Sequence, residues 1–378
     1  MKINKENPPS HEAPAGRRKV LIISMKAGYG HIKAGQALLD YAKTHLPNIE
    51  ASHVDIADID PSFKKHTKIY DIISKKIPLI WGIGYKIFNV KLLSQAFKKV
   101  DIFSYFLGSY IKNYITKTKP DVILFTNVMP LPLFGFAFHK AFPNIKLGVV
   151  VTDYHGHFYY HFPFVDYYFV GSEAVAHDLI KAGTKKEKIT VTGIPISPSF
   201  FVKQDKAELK IKYGISNDLP IVLLTTSFKI PEKDLLMLVS QLLGVKPEVN
   251  VIILTNNNQK FYHIIKNNFV DEKRLHLVLW TDAMHEYMKL SDVVITKAGG
   301  LTVSECLILK EPMIIINPIL GQEEYNAEFV QKNNFGKWVK NVDEIAKVLP
   351  EMILLSKNKQ MDLLEQENPC KKIFNELF

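Results

Sequence analysis

Residues 291–305 read Ser-Asp-Val-Val-Ile-Thr-Lys-Ala-Gly-Gly-Leu-Thr-Val-Ser-Glu. The apolar run up to Thr296 predicts a buried strand, Gly299-Gly300 predicts a tight turn, and a helix is expected to follow. The amino end of such a helix offers free backbone N–H groups and the positive end of the helix dipole, which together can bind a phosphate. Glu305 lies roughly one turn into the helix, where its carboxylate can reach sugar hydroxyls. The stretch therefore indicates a nucleotide-sugar site, although a Gly-Gly turn alone is more often structural.

Two series of apolar runs surround this stretch, and each predicts a parallel sheet buried on both faces. The first series comprises Lys19–Ser24, Ala51–Ile56, Asp121–Phe125, Leu147–Thr152, Tyr167–Val170 and Ile189–Thr192. The second comprises Ile221–Thr226, Val249–Leu254, Leu275–Leu279, Val293–Thr296 and Met313–Asn317. The fold class is therefore α/β, with two Rossmann-like doubly wound domains facing a central cleft.

The domain limits follow from these series. We expect a disordered tail over residues 1–17, a first domain over 18–200 and a second over 201–355. The helical residues 356–378 are expected to pack back on the first domain. The length of 378 residues and a hydrophobic content of 47% suit two packed cores.

Composition also predicts the cellular location of the protein. The first 19 residues are polar and lack the apolar region of a signal peptide. No apolar run reaches the roughly 18–20 residues of a membrane span, and two cysteines imply no disulfide framework. We expect a cytoplasmic protein, attached peripherally to the cytoplasmic face of a membrane.

The membrane expectation rests on the segment from Pro61 to Lys119. It holds twelve lysines and two acids, which equals the whole formal charge of +10. Lysines between large aromatics suit an anionic lipid surface. The candidate contacts are Lys75, Lys76, Trp81, Tyr85 and Phe88. A solvated helical face is the alternative, and nucleic acid is disfavoured because the segment has no arginine and no recognition motif.

His31 is the candidate general base. It follows the glycine loop at residues 28–30 and begins a predicted helix, where the helix dipole disfavours the imidazolium. A neutral His31 facing the cleft can take a proton from an attacking hydroxyl. The alternative is a histidine that only caps the helix.

A polar loop, residues 152–161, follows the Leu147–Thr152 strand. Its spacing of histidines matches no common zinc pattern, so a metal is disfavoured. We expect His157 and His161 to contact acceptor hydroxyls, and Asp153 to orient His31 or strengthen it as a base. A loop that only caps the sheet is the alternative.

Two further loops are candidates for donor recognition. Gln322 and Glu323 follow the last predicted strand and can read hexose hydroxyls, since amide and carboxylate groups satisfy both donors and acceptors. Trp280 and Met284 precede the Gly-Gly turn and can lie against a nucleobase. Ordinary solvated acids and a core aromatic are the respective alternatives.

Taken together, these stretches resemble the diacylglycerol glycosyltransferases related to monogalactosyldiacylglycerol synthase and to processive diacylglycerol glucosyltransferases, over roughly residues 18–340. The matching stretches are Gly28–Ala34, Thr152–Asp153 with His157 and His161, Val191–Ile196, Met284–Met288, Thr296–Gly300 with Glu305, and Gly321–Glu323 with Asn326. The resemblance implies a GT-B fold and transfer of a hexose from a UDP-sugar to diacylglycerol with inversion, without metal or other cofactor.

The resemblance also implies roles for single residues. His31 and Asp153 are the implied catalytic residues. Glu305 would take the ribose hydroxyls and the Gly299-Gly300 turn the diphosphate. The whole implied donor site is Gly30, Ser227, Lys229, Trp280, Met284, Lys297, Gly299, Gly300, Leu301, Thr302, Glu305, Gln322 and Glu323.

One departure from the family lies at residues 225–231, where relatives carry a glycine-rich turn and this chain has no glycine. The Ser227 hydroxyl and the Lys229 charge can replace the missing backbone contacts, or the donor site is altered. Ala298 also replaces the usual proline. Two alternatives therefore stay open, a sugar-nucleotide epimerase and a catalytically silent lipid-binding protein. Glucose against galactose, the number of sugars added and the oligomeric state are undecided by the sequence.

Overall fold

The structure, a computed structural model, consists of two α/β units. It describes residues 17–26, 28–65, 68, 72, 78–89, 108–226, 230–357 and 367–378. Each unit contains a six-stranded parallel sheet with helices on its faces, as the two series of apolar runs predict. Among the described strands, none is shared between the two sheets.

The first sheet has the strand order β2-β1-β3-β4-β5-β6. Its strands are β1 (Arg18–Ser24), β2 (Ile49–Asp55), β3 (Val122–Phe125), β4 (Lys146–Val150), β5 (Tyr167–Val170) and β6 (Ile189–Val191). The order reverses between β1 and β3, so a crevice opens at the carboxyl ends of these two strands.

The second sheet has the order β12-β11-β10-β7-β8-β9. Its strands are β7 (Ile221–Thr225), β8 (Asn250–Leu254), β9 (Leu275–Val278), β10 (Val293–Thr296), β11 (Met313–Ile315) and β12 (Gly336–Trp338). Here the order reverses between β7 and β10, and β10 is the strand that leads into the Gly299-Gly300 turn.

The helices lie between the strands. The first unit contains α1 (Gly30–His45), α2 (Ile56–Ile59), α3 (Pro78–Phe88), α4 (Ser109–Thr118), α5 (Phe136–Ala141) and α6 (Glu173–Ala182). The second contains α7 (Lys206–Lys212), α8 (Glu232–Gly244), α9 (Gln259–Asn268), α10 (Met284–Leu290), α11 (Gly300–Leu309), α12 (Gln322–Lys332) and α13 (Ile345–Lys357). The last helix is α14 (Pro369–Leu377).

The predicted strands are all present, with ends that differ from the prediction by at most two residues. Their sequences are apolar because both faces are covered: β3, β7 and β10 are buried along their whole length. The short strand β12 was not predicted. Its sequence, Gly-Lys-Trp, has no apolar run, and its pairing with β11 makes it a strand.

The C-terminal helix α14 packs on the first sheet. Cys370, Ile373 and Phe374 are buried in the same cluster as Val20 of β1 and Leu38 of α1. The Arg18 guanidinium also lies 4.8 Å from the ring centroid of Phe378. The chain therefore returns from the second unit to the first and ties the two together. In the part of the chain described, no helix has the length and apolarity to span a membrane.

Candidate active site between the two sheets

The carboxyl ends of the two sheets meet at Thr152, which follows β4, and at Gly300, which follows β10. A Cβ atom placed on Gly300 would lie 1.9 Å from the Thr152 carbonyl oxygen, a separation that no side chain can adopt. The Thr152 hydroxyl lies 2.9 Å from Nδ1 of His31. Thr152 therefore connects the candidate base on one side of the cleft with the candidate phosphate turn on the other.

His31 is held in one orientation. Its Nδ1 lies 2.8 Å from the Thr126 carbonyl oxygen, which follows β3. A carbonyl oxygen only accepts, so Nδ1 carries the proton and Nε2 keeps its lone pair. The Thr126 hydroxyl in turn donates to the His31 carbonyl oxygen at 2.9 Å and lies 2.7 Å from Ser24 Oγ. The ring is thus oriented by a small hydroxyl and carbonyl network.

Burial lowers the pKa of the His31 imidazole below its ordinary value of 6.5, although the negative charge of Asp153 and the hydrogen bond to Thr126 act in the opposite direction. The lowered pKa keeps His31 neutral at pH 7. A neutral ring with a lone pair on Nε2 is the form that a general base requires.

Asp153 joins the two units by hydrogen bonds. Its Oδ2 accepts from Gln322 Nε2 at 3.0 Å and from the Tyr160 hydroxyl at 3.3 Å, and its Oδ1 accepts from Asn326 Nδ2 at 3.2 Å. Thr126 and Thr152 provide the hydrogen bonds that orient His31. The hydrogen bonds of Asp153 go to Tyr160 and to α12, so they give no support to the prediction that Asp153 orients the ring. Its negative charge raises the pKa of His31, which supports the prediction that Asp153 strengthens the base.

Asn326 completes this connection. Its Oδ1 accepts from the backbone N–H of Tyr154 at 2.8 Å, and its Nδ2 also donates to the Ala298 carbonyl oxygen at 3.0 Å. One fully buried amide therefore holds the loop after β4, the turn after β10 and helix α12 together.

The Gly299-Gly300 turn has the predicted form of a strand followed by a helix N-terminus. Helix α11 begins at Gly300, with Gly299 as its N-cap in extended conformation. A Cβ placed on Gly299 would lie 3.8 Å from Glu323 Oε1, 3.9 Å from Thr302 Oγ1 and 4.0 Å from Lys297 Nζ, which is ordinary van der Waals contact. Gly299, at the helix N-terminus, stays a candidate for phosphate binding, whereas Gly300 is needed for contact with the first unit.

Ser304 does not help to form the anion site. The helix starts four residues before it, so its hydroxyl donates to the Gly300 carbonyl oxygen at 2.8 Å and lies 2.9 Å from the Tyr154 hydroxyl. Ser304 instead contributes to the contact between the units.

Glu305 is buried on α11, and burial raises the pKa of its carboxyl to about 7, with the charge of Lys33 on α1 opposing this. Its charge state consequently changes near neutral pH. In its ionised form this carboxylate can accept hydrogen bonds from sugar hydroxyls.

Lys297 and Glu323 form an ion pair across the mouth of the turn. Glu323 also accepts from the Ile319 backbone N–H at 2.9 Å, and its side chain is buried. Gln322 donates to Asp153 of the first unit. The two residues predicted to bind the hexose thus lie beside the turn. Glu323 is paired with Lys297 of the turn, and Gln322 is hydrogen-bonded to the first unit.

Comparison with known proteins gives a consistent assignment. Residues 31–196 match the family model for monogalactosyldiacylglycerol (MGDG) synthase, and residues 224–377 match the glycosyltransferase family 28 C-terminal domain. These two matches, which together span most of the chain, confirm the predicted resemblance to the diacylglycerol glycosyltransferases.

Individual relatives agree with this family. The processive diacylglycerol beta-glucosyltransferase of Staphylococcus epidermidis is 27% identical over 343 residues, which cover 89% of this chain and 84% of the relative. The protein of that name from Staphylococcus carnosus is 25% identical over 375 residues, covering 95% and 92% of the two chains.

A solved structure confirms the GT-B fold. The UDP-GlcNAc 2-epimerase of Neisseria meningitidis, bound to UDP-GlcNAc, has a TM-score of 0.59 over 95% of this chain and 99% of its own, at 14% identity. A likeness at this identity shows a shared fold and no shared activity.

The remaining predicted donor residues differ in position. Gly30 and Leu301 face each other across the cleft, with a Cβ on Gly30 lying 3.7 Å from Leu301 Cδ1. Thr302 is half-buried in the first turn of α11. Trp280 is 62% exposed before α10, whereas Met284 packs partly against the core of the second unit.

Ser227 and Lys229 lie outside the described residues. The residues just before them are directed into the fold: the Thr225 hydroxyl donates to Thr296 Oγ1 at 2.9 Å, and the Thr226 hydroxyl donates to the Leu254 carbonyl oxygen at 3.1 Å.

The histidines of the 152–161 loop make contacts within the protein. His157 Nε2 donates to the Tyr85 carbonyl oxygen at 3.0 Å, and His161 Nδ1 lies 2.9 Å from Thr184 Oγ1. His155 lies against Asn89 and Asp178. Within the described ranges, no group of three or more His, Cys, Asp or Glu side chains could hold a metal ion.

The candidate membrane residues are only partly described. Lys75, Lys76 and the side chains of Trp81 and Phe88 lie outside the described part of the chain. Tyr85 is half-buried on α3, with its ring 4.7 Å from that of His157 and its hydroxyl 3.4 Å from that of Tyr160. The Tyr85 ring also lies 6.3 Å from that of Tyr325 on α12, so Tyr85 is placed between the two units.

Sequence reasoning missed Ser24, Thr126 and Thr152 as members of one network around His31. A signal was present, since each of the three ends or directly follows a predicted strand of the first sheet. Polar residues at such positions gather at one edge of a parallel sheet.

Proposed function

We propose that the protein is an inverting glycosyltransferase that moves a glucose or galactose unit from a UDP-sugar to 1,2-diacylglycerol at a membrane surface. The observation that supports this most is the contact of Thr152 with both His31 and Gly300. Only Thr152 then lies between the candidate base and the candidate phosphate-binding turn among the described residues. The similarity to monogalactosyldiacylglycerol synthase and to processive diacylglycerol beta-glucosyltransferases supports the acceptor class.

The proposed chemistry follows from the residues of the cleft. Nε2 of His31 takes the proton from the acceptor hydroxyl, whose oxygen attacks the anomeric carbon from the side opposite the diphosphate. The leaving diphosphate gains negative charge, which the N-terminus of α11 and Lys297 stabilise. Attack from the opposite side inverts the anomeric configuration.

Donor recognition is assigned to the second unit. Glu305 accepts from the ribose hydroxyls, while Gln322 and Glu323 read the hexose. Because Gln322 donates to the carboxylate of Asp153, the residues proposed to bind the hexose are hydrogen-bonded to the unit that carries His31. No metal or other cofactor has a role in this proposal.

The decisive experiment incubates the protein with diacylglycerol vesicles and either UDP-glucose or UDP-galactose. We expect a glycolipid whose mass equals diacylglycerol plus one or more hexoses, with release of UDP and a β-anomeric proton in the NMR spectrum. An altered sugar nucleotide without glycolipid would establish the epimerase instead. Vesicle binding without any reaction would establish the silent lipid-binding protein.

The membrane part of the proposal has its own test. Binding to anionic vesicles should fall steeply with salt, because exposed charges are screened over about 8–10 Å at physiological ionic strength. Binding that does not respond to salt, or no binding to anionic vesicles, would refute a role for the lysine-rich segment.

A further inference from the structure

Helix α3 contacts the loop that contains the predicted hexose-reading residues, which we call the donor loop (residues 317–323). A Cβ placed on Gly82 would lie 2.9 Å from the Cβ of Leu320, and one placed on Gly321 would lie 3.0 Å from the Cβ of Tyr85. Gly321 has φ = 83°, a conformation that favours glycine. The helix and the donor loop thus touch backbone to backbone, so neither can move toward the other.

An ion pair strengthens this contact. Lys86 Nζ on α3 lies 3.1 Å from Glu324 Oε2, and the same oxygen accepts from the Gly321 backbone N–H at 3.0 Å. Glu324 therefore fixes the end of the donor loop and binds α3 at once. Gln322 and Glu323 are the two residues between Gly321 and Glu324.

The end of α3 is bound to the acceptor side of the cleft. Asn89 Nδ2 lies 2.8 Å from His155 Nε2, and Asn89 Oδ1 accepts from the Phe158 backbone N–H at 3.1 Å. His157 also donates to the Tyr85 carbonyl oxygen. A single helix therefore contacts both the loop that follows Asp153 and the donor loop.

A separate face of α3 is apolar and exposed. Leu79, Ile83 and Ile87 recur every four residues and are 64%, 52% and 49% exposed. The helix has no acidic residue in its sequence, and it lies within the segment that has an excess of ten positive charges. An apolar stripe on a helix of a lysine-rich segment suits the surface of an anionic bilayer, where apolar side chains enter the headgroup region and lysines are attracted by the lipid charges.

We propose that α3 couples lipid binding to donor binding. A bilayer that holds the stripe of Leu79, Ile83 and Ile87 also holds α3 in the position that supports the donor loop, so membrane and UDP-hexose bind cooperatively. The inference rests on the proposed function for its two ligands and adds an energetic link between them. Such a link is reciprocal: the factor by which vesicles tighten donor binding equals the factor by which the donor tightens vesicle binding.

The test uses the full chain, phosphatidylglycerol-containing vesicles without diacylglycerol, and UDP-glucose or UDP-galactose. Donor affinity is measured with and without vesicles, and vesicle affinity with and without donor. For the unchanged protein we expect roughly a tenfold gain in each direction, within the usual range of coupling between sites. Equal donor affinity with and without vesicles would overturn the proposal.

Two glycines on α3 provide a matched pair of variants. Gly82→Ala adds a methyl group against Leu320, whereas Gly84→Ala adds the same group where no described atom lies within 4 Å. We expect Gly82→Ala to bind vesicles normally and to lose the coupling, while Gly84→Ala keeps it. Loss of coupling in both variants to the same degree would contradict the proposal. If Gly82→Ala does not fold, Lys86→Met takes its place as the test variant, because it removes the ion pair to Glu324. It should weaken the coupling severalfold.

Variants on the exposed face test the other end of the link. Ile83→Ser combined with Ile87→Ser should lower vesicle affinity and keep the donor affinity that is measured without vesicles. Unchanged vesicle affinity would contradict the role of the stripe. Glycolipid synthesis separates this inference from the proposed function: coupled binding without glycolipid refutes the transfer alone, and glycolipid with independent binding refutes the coupling alone.

Discussion

The two sheet edges that form the cleft have the same architecture and opposite chemistry. At the β1/β3 edge, hydroxyl and carbonyl groups surround a neutral His31. At the β7/β10 edge, the N-terminus of α11 and the charge of Lys297 favour an anion. Both edges lie where the strand order reverses, so the fold provides the place and the side chains provide the reaction.

The difference predicts that the two edges can be disabled separately. A change at His31 should affect the chemical step, while changes around α11 should affect donor binding and the contact between the units. Substitutions at four points of the cleft test this separation.

The largest effect is expected for His31→Ala. Loss of the base should lower glycolipid synthesis by about 10²–10⁴-fold, with UDP affinity nearly unchanged. The matched control is His45→Ala at the exposed far end of the same helix, which should retain normal turnover. Normal turnover in the His31 variant would refute its assignment as the base.

The next effect concerns the adjacent glycines. Gly300→Ala forces a methyl group into the Thr152 carbonyl oxygen and should lower the free energy of unfolding by about 1–3 kcal/mol in urea titrations. Gly299→Ala meets no described atom closer than 3.8 Å, so it should keep that stability and weaken UDP binding instead. Equal stability and equal UDP affinity in the two variants would show that the two glycines share one role.

Asp153→Asn should have an intermediate effect. The aspartate charge raises the pKa of His31, so its removal lowers that pKa further and shifts the acid limb of kcat/KM to lower pH. A weaker base should also reduce turnover roughly tenfold, or about 1.4 kcal/mol in the barrier. An unshifted acid limb would show that Asp153 does not act on His31 by charge.

The smallest effect is expected for Glu305. With a pKa of about 7, its carboxyl is largely protonated at pH 6 and ionised at pH 8, so UDP affinity should rise severalfold over this range. The folded state holds a proton that the unfolded chain has released, so this group's contribution to stability should fall as pH rises from about 4.5 to about 7. Glu305→Gln should remove both dependences, and an unchanged pH profile would contradict the assignment.

The sequence predicted the strands and the Gly-Gly turn well because buried parallel strands are recognisable from local apolar runs. It also predicted the position of His31 at the start of α1, because the glycine loop at residues 28–30 marks the start of the helix. It did not predict β12, whose residues form a strand only beside β11. It also placed Tyr85 on a membrane-facing surface, since the sequence cannot show which side of α3 packs on the second unit.

The α/β class, the two series of strands and the types of chemical group at the strand ends could all be predicted, because each depends on residues that are neighbours along the chain. Which of those groups meet depends on the packing of one sheet against the other. Three features arise only where the two sheets approach each other. These are the contact of Gly300 with Thr152, the hydrogen bonds of Asp153 to Gln322 and Asn326, and the burial that raises the pKa of Glu305. The Gly-Gly turn is therefore both a candidate phosphate site at Gly299 and, at Gly300, a contact that holds the cleft together.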